Sequence, residues 1–355
     1  MTILITGVCG FAGSALAAAL LERMEGVRLL GIDNLMRPGS ERNRSFLRSL
    51  GVRFVHGDLR SASDLASLPK ADWVIDAAAN PSVLAGVDGA GSSRQLFENN
   101  LAALGNVLEY CKDHGAGLLL LSSSRVYSIP AFASIPLRVQ EQSFLLDLSR
   151  ELPHGLSEHG IGIEFPVTPP ISLYGATKLA SEVMAAEYGA TFGFPVWITR
   201  CGVLAGAGQF GTPGQGIFAY WINAHLRGRE LRYIGFEGKG YQARDAFHPR
   251  DLAALLAAQM NTARSGGRRL YTAGGGPDNM MSLAQLTAWC DAQFETNQPA
   301  ADTRPRPFDI PWVAMDNREA GGDFGWSVAT PLPAILEEIA AHAQQHADWL
   351  EISGA

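Results

Sequence analysis

Short apolar runs alternate with stretches of helical pattern over the first 200 residues. The apolar runs fit buried strands at residues 1–6, 27–32, 53–56, 73–77, 118–122 and 195–199. Stretches of helical pattern lie between them at residues 14–23, 98–112 and 177–188. Buried strands separated by helices are typical of a parallel sheet with helices on both faces. The pattern therefore predicts an α/β fold built on a doubly wound parallel sheet.

The pattern loosens beyond residue 200. Residues 202–216 are rich in glycine and predict a loop, residues 217–227 predict a helix, and residues 332–349 predict an amphipathic helix. We expect a large sheet domain formed by residues 1–200 with a return segment at about 243–275. Residues 201–242 and 276–355 should form a smaller, mixed α/β domain.

Composition narrows the class of protein. With 355 residues, 47% of them hydrophobic, the chain can bury a large core. Its net charge of −7 argues against partners such as nucleic acid or an anionic membrane. No apolar run reaches the ~18 residues of a membrane span. Because the first strand starts near the N-terminus and leaves no room for a cleavable signal peptide, we expect a cytoplasmic protein.

The cysteines give no sign of a metal site. Cys9, Cys111, Cys201 and Cys290 are scattered along the chain and form no CxxC pair. Free thiols fit this spacing better than a zinc site or a disulfide framework does. We therefore expect no metal.

A glycine-rich turn follows the first strand directly. Residues 7–13 have the sequence GVCGFAG, with GxxGxxG spacing between a strand and a helix. Small residues keep such a turn tight and let the backbone approach a pyrophosphate, while the helix N-terminus supplies amide donors. A chance match in a glycine-rich chain is the alternative. The position between strand and helix favours a Rossmann-type dinucleotide site, with contacts from Gly7, Gly10, Phe11, Ala12 and Gly13.

Asp33 indicates which dinucleotide binds. It lies 20 residues beyond Gly13 at the end of the second strand, where a carboxylate can accept both hydroxyls of the adenosine ribose. The same carboxylate would repel a 2′-phosphate, so NAD is favoured, and the nearby Arg37 leaves NADP as the weaker alternative. Asp58, after the third strand, either contacts the adenine amino group or is an ordinary turn carboxylate.

Tyr174 and Lys178 form a YxxxK pair at the start of a predicted helix. One helical turn separates them, so both side chains face the same side. A lysine ammonium near a phenol stabilises the phenolate, which makes the tyrosine a workable acid and base near neutral pH. Coincidental spacing is the alternative, and the glycine turn makes it the weaker one.

Four motifs together resemble the extended short-chain dehydrogenase/reductases that act on nucleotide sugars. They are GVCGFAG at residues 7–13, GDLR at 57–60, SSSRVY at 122–127 and YGATK at 174–178. The resemblance implies an NAD-dependent enzyme with Ser123, Tyr174 and Lys178 as catalytic residues, since Ser123 stands four residues before Tyr127. It also implies a homodimer or higher homo-oligomer formed through the helices at 98–112 and 177–188.

The resemblance extends the set of predicted cofactor contacts. Asn100 matches the structural asparagine of the family, although Ala103 and Leu104 replace the Gly and Thr that usually follow it. Besides the glycine turn, Asp33 and Asp58, the implied contacts are Asn34, Leu59, Ala77, Asn100, Tyr174 and Lys178.

Two later segments resemble elements whose arginines grip a nucleotide diphosphate. They are QARDAFHPRD at residues 242–251 and RPFD at residues 306–309. The resemblance implies that Arg244 and Arg306, together with Arg125, bind the substrate, a nucleotide sugar held by the smaller domain. Guanidinium forks match phosphate oxygens and stay charged. Without the resemblance to this family, we would expect each arginine to be a solvated surface charge.

The resemblance also bears on the reaction. Ser124 and Arg125 stand where dehydratases of the family carry an Asp–Glu pair and decarboxylases carry a glutamate, so an epimerase is implied. Residues 33–40, 238–245 and 274–283 resemble epimerases that invert C2 of a CDP-linked 3,6-dideoxyhexose. A 4-epimerase, or a dehydrogenase or reductase with exchangeable NAD, stays open. A non-catalytic NAD-sensing protein is a remote alternative.

The chain departs from the family pattern in two places. Ser123 and Tyr174 lie 51 residues apart, roughly twice the usual spacing. We expect the inserted residues 129–169 to loop near the site and to reshape the sugar pocket. In addition, Val203 stands where many sugar epimerases place an asparagine near the substrate phosphates.

Overall fold

A parallel sheet of seven strands organises the first part of the fold. The computed structural model describes residues 1–87, 89, 91–262 and 269–355, so residues 263–268 of the predicted return segment lie outside the described residues. The strands are β1 (Thr2–Thr6), β2 (Arg28–Asp33), β3 (Arg53–His56), β4 (Trp73–Asp76), β5 (Gly117–Ser123), β6 (Leu137–Gln140), β7 (Ser143–Leu146), β8 (Leu156–Ser157), β9 (Gly160–Ile161), β10 (Val196–Cys201), β11 (Val203–Leu204), β12 (Arg232–Ile234), β13 (Ala243–Phe247), β14 (Leu270–Ala273), β15 (Met280–Ser282), β16 (Ala300–Asp302) and β17 (Trp312–Val313).

Helices cover both faces of the sheet and build much of the second half of the chain. They are α1 (Phe11–Arg23), α2 (Asn43–Ser49), α3 (Ala62–Ala66), α4 (Ser93–Phe97), α5 (Ala103–His114), α6 (Ile129–Ala133), α7 (Leu173–Phe192), α8 (Ile217–Leu226), α9 (Pro249–Met260), α10 (Leu283–Gln293), α11 (Arg318–Phe324), α12 (Leu332–Gln345) and α13 (Trp349–Ser353). A π-helical turn, Glu98–Ala102, joins α4 to α5, so the helix predicted at 98–112 is continuous but not uniform.

The strand order is β14-β10-β5-β4-β1-β2-β3, and every neighbouring pair is parallel. The chain builds outward from β1 through β2 and β3, then returns and builds the other half from β4. This order confirms the predicted doubly wound sheet. The reversal lies between β1 and β4, and a crevice opens at such a point, outside the carboxyl ends of the strands.

Each face of the sheet has its own apolar core. On one face, α1 packs against α9 through residues such as Leu16, Leu20 and Leu252, all fully buried. On the other face, α5 and α7 supply Val107 and Ala185. Because both faces are covered, the strands are almost continuously apolar, which is why the short hydrophobic runs could be recognised in the sequence.

The second half of the chain forms smaller sheets and a helical core of its own. β13 pairs with β11, β15 and β17, and β12 pairs with β16. The predicted loop at 202–216 therefore contains a short strand, β11. The helix predicted at 332–349 is two helices, because the backbone leaves helical geometry at His346, where φ is −125° and ψ is 79°. No helix among the described residues is long and apolar enough to cross a membrane.

We expected the inserted residues 129–169 to form a loop. Instead, they fold into a compact unit. They form α6 and two antiparallel hairpins, β6–β7 and β8–β9. Phe132 and Phe165 pack against Tyr127 with ring centroids 6.4 and 5.5 Å away. The amide of Phe144 donates to the carbonyl of Tyr241 at 2.9 Å, so the insertion is anchored to the second half of the chain.

A buried ion pair ties α7 to the sheet. Arg200, on β10, donates to both carboxylate oxygens of Glu182, on α7, and the closest contact, from Nη2 to Oε2, is 2.8 Å. The two side chains are only 5% and 6% exposed. Ser122 on β5 also donates to Glu182, and Arg200 Nη1 donates to the Ile163 carbonyl of the insertion at 3.0 Å. Arg200 therefore joins the sheet, the helix and the insertion.

Removal of the Arg200 guanidinium should be costly. In Arg200→Met, the Glu182 carboxylate stays buried without its cation, so the free energy of unfolding should fall by about 3–5 kcal/mol in chemical denaturation. Arg42→Met is the matched control, because Arg42 pairs with Asp348 at 3.0 Å while both side chains are at least half exposed. That loss should stay below about 1 kcal/mol. Similar small losses in both variants would contradict a structural role for the buried pair.

Candidate active site

A cleft of about 480 Å³ lies at the carboxyl ends of the central strands. It is lined by the glycine turn, by residues after β2, β3 and β4, and by the start of α7. The predicted cofactor residues in its wall are Gly7, Gly10, Phe11, Ala12, Gly13, Asp33, Asn34, Asp58, Leu59, Ala77, Tyr174 and Lys178. The structure thus brings together residues up to 171 positions apart in the sequence.

The glycine turn has no room for side chains. Gly7 has φ +62°, and a Cβ there would lie 2.8 Å from the Cα of Ala78. A Cβ on Gly13 would lie 2.3 Å from the Gly7 carbonyl oxygen. Gly10 caps α1 without any side-chain hydrogen bond, and the first turn of that helix holds no acidic residue. The uncapped N-terminal turn of α1 lines the cleft, and the amide donors of such a turn fit a pyrophosphate.

Asp33 is held in place by backbone amides. Its Oδ2 accepts from Cys9 N at 2.9 Å, and its Oδ1 accepts from Leu35 N at 2.8 Å. Burial raises the pKa of this carboxyl, and the two amides oppose that shift. Each oxygen keeps a further lone pair for a hydroxyl in the cleft. The geometry suits a pair of ribose hydroxyls.

Asp58 is occupied by protein donors as well. Arg60 donates to both of its carboxylate oxygens, at 3.0 and 2.6 Å, and Asn34 donates at 3.2 Å. The hydrogen bond from Arg60 is the main cause that lowers the pKa of Asp58 to about 2. Asp58 is therefore a charged residue of the cleft wall that also serves as a turn carboxylate.

The start of α7 places the tyrosine and lysine together. Ser172 caps the helix by accepting from the amide of Gly175 at 3.0 Å. A Cβ on Gly175 would meet the Arg125 carbonyl oxygen at 2.1 Å, so only glycine lets the helix approach the end of β5 this closely. Tyr174 and Lys178 are 8% and 5% exposed and lie one turn apart. In the described part of the chain, the Lys178 ammonium has no hydrogen-bond partner, so it is free to bind a ligand in the cleft.

The two serines at the end of β5 have different surroundings. Ser122 lines the cleft, and its hydroxyl donates to Glu182. Ser123, the predicted catalytic serine, does not line this cleft; it is half-buried and accepts from the amide of Arg125 at 3.2 Å. Successive side chains of a strand point to opposite faces, so the sequence alone could not divide these neighbours between the two positions.

Asn100 lies behind the cleft wall rather than in it. Its side chain accepts from the amide of Asn80 at 2.7 Å and donates to the carbonyl of the same residue at 2.9 Å. It also donates to Thr177 Oγ1 at 3.2 Å. Asn100 therefore fastens the segment after β4 to α7, and it supports the cofactor site without touching the cleft.

The three predicted substrate arginines lie outside the cofactor cleft but close to one another. Arg125 Nη1 donates to the Phe308 carbonyl at 2.9 Å, and Arg244 Nη2 lies 3.3 Å from Asp309 Oδ1. Burial lowers the pKa of Arg244 to about 10; Asp309 opposes this shift, and the charges of Arg125 and Arg306 add to it. Three guanidinium groups thus stand against the carboxylates of Asp309 and Asp245, which leaves positive charge for an anionic ligand.

Several residues of the cleft wall were missed by sequence analysis. They come from loops: Arg37 after β2, Asn80 after β4, and Gln209, Phe210 and Gln215 between β11 and α8. Only Arg37 had been noticed, because it stands close to Asp33. The structure describes all of residues 129–169, and none of them lines this cleft. Among the described residues, no group of His, Cys, Asp and Glu is arranged to hold a metal ion.

A doubly wound sheet with a glycine turn, a carboxylate at the end of β2 and a Tyr–Lys pair on α7 defines a dinucleotide-dependent enzyme of the short-chain dehydrogenase/reductase class. Residues 3–274 match the NAD dependent epimerase/dehydratase family, and the chain belongs to this family. Membership confirms the predictions that the chain is an enzyme and that its cofactor is NAD.

Relatives in this family act on different sugars. The chain is 27% identical to CDP-paratose 2-epimerase of Salmonella typhi over 320 residues, which are 87% of this chain and 90% of that protein. It is 25% identical to UDP-glucuronate 4-epimerase 4 of Arabidopsis thaliana over 357 residues, 95% of this chain and 74% of that protein. The solved structure of UDP-glucose 4-epimerase from Bifidobacterium longum has a TM-score of 0.78 at 20% identity, covering 98% and 100% of the two chains, which supports the fold.

A side chain on the glycine turn should displace the cofactor. In Gly13→Ala, the new Cβ would meet backbone atoms of Gly7 and Val8, so the turn must move. We expect the affinity for NAD to fall at least ~10-fold, measured by calorimetry on protein stripped of cofactor. Gly322→Ala on α11 is the matched control, because its Cβ would have no neighbour within 4 Å. Unchanged affinity in Gly13→Ala would exclude the turn as the pyrophosphate site.

Proposed function

We propose that this enzyme is an epimerase of a nucleotide-activated sugar that works by transient oxidation of the sugar. The observation that carries the proposal is that Tyr174 and Lys178 line the same cleft as the glycine turn and Asp33. An acid–base pair and a dinucleotide site in one cleft are suited to removing and restoring a hydrogen at one carbon.

The protein side of the reaction follows from three side chains. Tyr174, as phenolate, takes the proton from a sugar hydroxyl. Ser123 lies outside the wall of the cofactor cleft, so the proposal places the sugar between that cleft and Ser123, which donates a hydrogen bond to the reacting oxygen. Lys178, one turn along α7, stabilises the phenolate and orients the cofactor ribose. The glycine turn and Asp33 would hold NAD, and the bound cofactor would supply a reversible acceptor for the hydride of the sugar carbon. Tyr174 then returns the proton, so no cofactor is consumed.

The nucleotide end of the substrate is assigned to the arginine group. Arg125, Arg244 and Arg306 carry three positive charges near the carboxylates of Asp309 and Asp245, and a diphosphate would balance the positive charge that remains. In this proposal, residues 1–200 with the return segment at 243–275 bind NAD. Residues 201–242 and 276–355 bind the nucleotide sugar, with Arg125 and Arg244 as contributions from the larger part.

We further propose a CDP-linked sugar that is inverted at C2. The 27% identity to CDP-paratose 2-epimerase over most of both chains supports this assignment. The residues Ser124 and Arg125, in place of an acidic pair, favour an epimerase over a dehydratase. Inversion at C4 is the second candidate, since UDP-glucuronate 4-epimerase 4 matches across 95% of the chain.

The first experiment is to denature freshly purified protein and weigh the released small molecules by mass spectrometry. NAD at near-stoichiometric amount is expected, and CDP or a CDP-sugar beside it would favour C2 inversion. A released UDP-sugar would favour the 4-epimerase. Protein without NAD would indicate a dehydrogenase or reductase that exchanges its cofactor.

Loss of the Tyr174 hydroxyl should abolish turnover and leave cofactor binding intact. In Tyr174→Phe, we expect kcat to fall by ~10²–10⁴ with the sugar identified above, while the bound NAD stays unchanged. Epimerised product is measured by NMR. Tyr188→Phe is the matched control, because that hydroxyl contacts Glu109 at 2.9 Å on the far part of α7. Full turnover in Tyr174→Phe would refute the assigned base.

A second copy of the chain is proposed to cover the outer face of α7 and of the helix over residues 98–112, which begins directly after α4. Phe97 on α4 is 52% exposed, and Val183 on α7 is 58% exposed. Met184 and Phe192 on α7 are also exposed. Large apolar residues exposed on neighbouring helices are typical of an interface. The predicted homodimer would bury them.

A charge on this face should separate the subunits. Val183→Asp places a carboxylate in the proposed interface and should give a monomer in sedimentation velocity, whereas the natural protein should sediment as a dimer. Val139→Asp on β6 is the matched control, since Val139 is 57% exposed and lies in the insertion. A dimer that survives Val183→Asp would place the interface elsewhere.

A further inference from the structure

One wall of the cofactor cleft comes from a loop in the second half of the chain. This 205–216 loop connects β11 to α8 and contributes Gln209, Phe210 and Gln215 to the lining. At its start, a Cβ on Gly206 would lie 3.4 Å from Phe11 Cζ. Phe11 belongs to the glycine turn, so the loop lies directly against the turn and closes that side of the cleft.

Arg37 holds the loop from the side of the large sheet. Its Nη2 donates to the Phe210 carbonyl at 2.7 Å, and its Nη1 donates to Gln215 Oε1 at 3.1 Å. The guanidinium carbon also lies 5.9 Å from the centroid of the Phe210 ring. Arg37 follows Asp33 by four residues, yet its two terminal nitrogens are directed at the loop. A guanidinium engaged in this way is not poised to bind a 2′-phosphate.

The 205–216 loop is also held by α13. Trp349, on α13, donates from Nε1 to the Gln209 carbonyl at 2.9 Å. Its ring stacks on Phe210 with centroids 5.2 Å apart and an interplanar angle of 15°. A Cβ on Gly39 would lie 2.4 Å from Ile352 Cγ2, so the segment after β2 and α13 also touch each other. Phe210 is therefore held between Arg37 and Trp349.

We propose that the 205–216 loop retains the dinucleotide in the cleft and that Arg37 and Trp349 are the residues that keep it closed. The inference rests on the proposed function, because an epimerase that consumes no cofactor has no need to release it. Exchange of the dinucleotide would require the loop to leave the glycine turn. The two hydrogen bonds of Arg37 and the stacked ring of Trp349 oppose that movement.

The test measures cofactor exchange rather than activity. Purified protein is incubated with isotopically labelled NAD, and replacement of the bound NAD is followed by mass spectrometry after denaturation. Arg37→Met removes both hydrogen bonds but keeps the aliphatic stem, and exchange should become ~10-fold faster or more. Trp349→Phe keeps a ring but loses the donor, and exchange should accelerate by a smaller factor. Arg48→Met on α2 is the matched control, because Arg48 is exposed and contacts neither the loop nor α13, and it should exchange like the natural protein.

The outcomes separate this inference from the proposed function. Exchange in Arg37→Met and Trp349→Phe at the natural rate, with unfolding midpoints unchanged, overturns the retention role alone. Arg37→Met that keeps its NAD but loses affinity for NADP assigns Arg37 to a 2′-phosphate and also overturns it. Natural protein that neither contains nor binds NAD overturns the inference together with the proposed function. If Arg37→Met fails to fold, accelerated exchange in Trp349→Phe supports the inference, and an unchanged rate contradicts it.

Discussion

The catalytic end of the cleft depends on where α7 crosses the sheet, and the ion pair between Arg200 and Glu182 fixes that crossing. Two buried charges cost free energy to desolvate, and here the cost is offset because Glu182 receives several hydrogen bonds and Arg200 also binds a carbonyl. Glu182 lies one turn beyond Lys178. If this pair were lost, α7 could shift on the sheet, and Lys178 would move away from the cofactor cleft.

The rest of the site is arranged around that helix. Gly175 lets α7 approach the end of β5, and Asn100 fastens the segment after β4 to Thr177. Neither residue needs to touch substrate or cofactor in order to matter, since both set the distance between Tyr174 and the strand ends. The compact insertion adds a further brace through Ile163, so its packing bears on the catalytic helix although it stays outside the cofactor cleft.

The confirmed predictions depend on residues that are adjacent in the sequence. The strands of the large sheet were recognisable because burial on both faces leaves short apolar runs, and the glycine turn was recognisable because a strand precedes it and a helix follows it. The cleft then gathered Asp33, Tyr174 and Lys178, whose spacing had suggested their roles. These features depend on local geometry, which a sequence contains.

What the sequence did not reveal depends on tertiary contacts. Arg37 meets Phe210, 173 residues away, through a backbone carbonyl that any residue could present. The insertion was expected to be a loop because its hairpins are stabilised by packing on Tyr127 and Tyr241, not by a strong pattern of their own. Likewise, which of Ser122 and Ser123 faces the cleft depends on the register of one strand.

The stacking of Trp349 on Phe210 has a thermodynamic consequence. In the proposed retention, α13 and the cofactor wall share this contact, so docking of the helix and occupancy of the cleft are linked equilibria. The effect of helix docking on cofactor affinity then equals the effect of the bound cofactor on helix docking. The thermal stability of α13 should therefore rise with the fraction of protein that holds the cofactor. A substitution in α13 can also alter cofactor affinity without touching the cofactor.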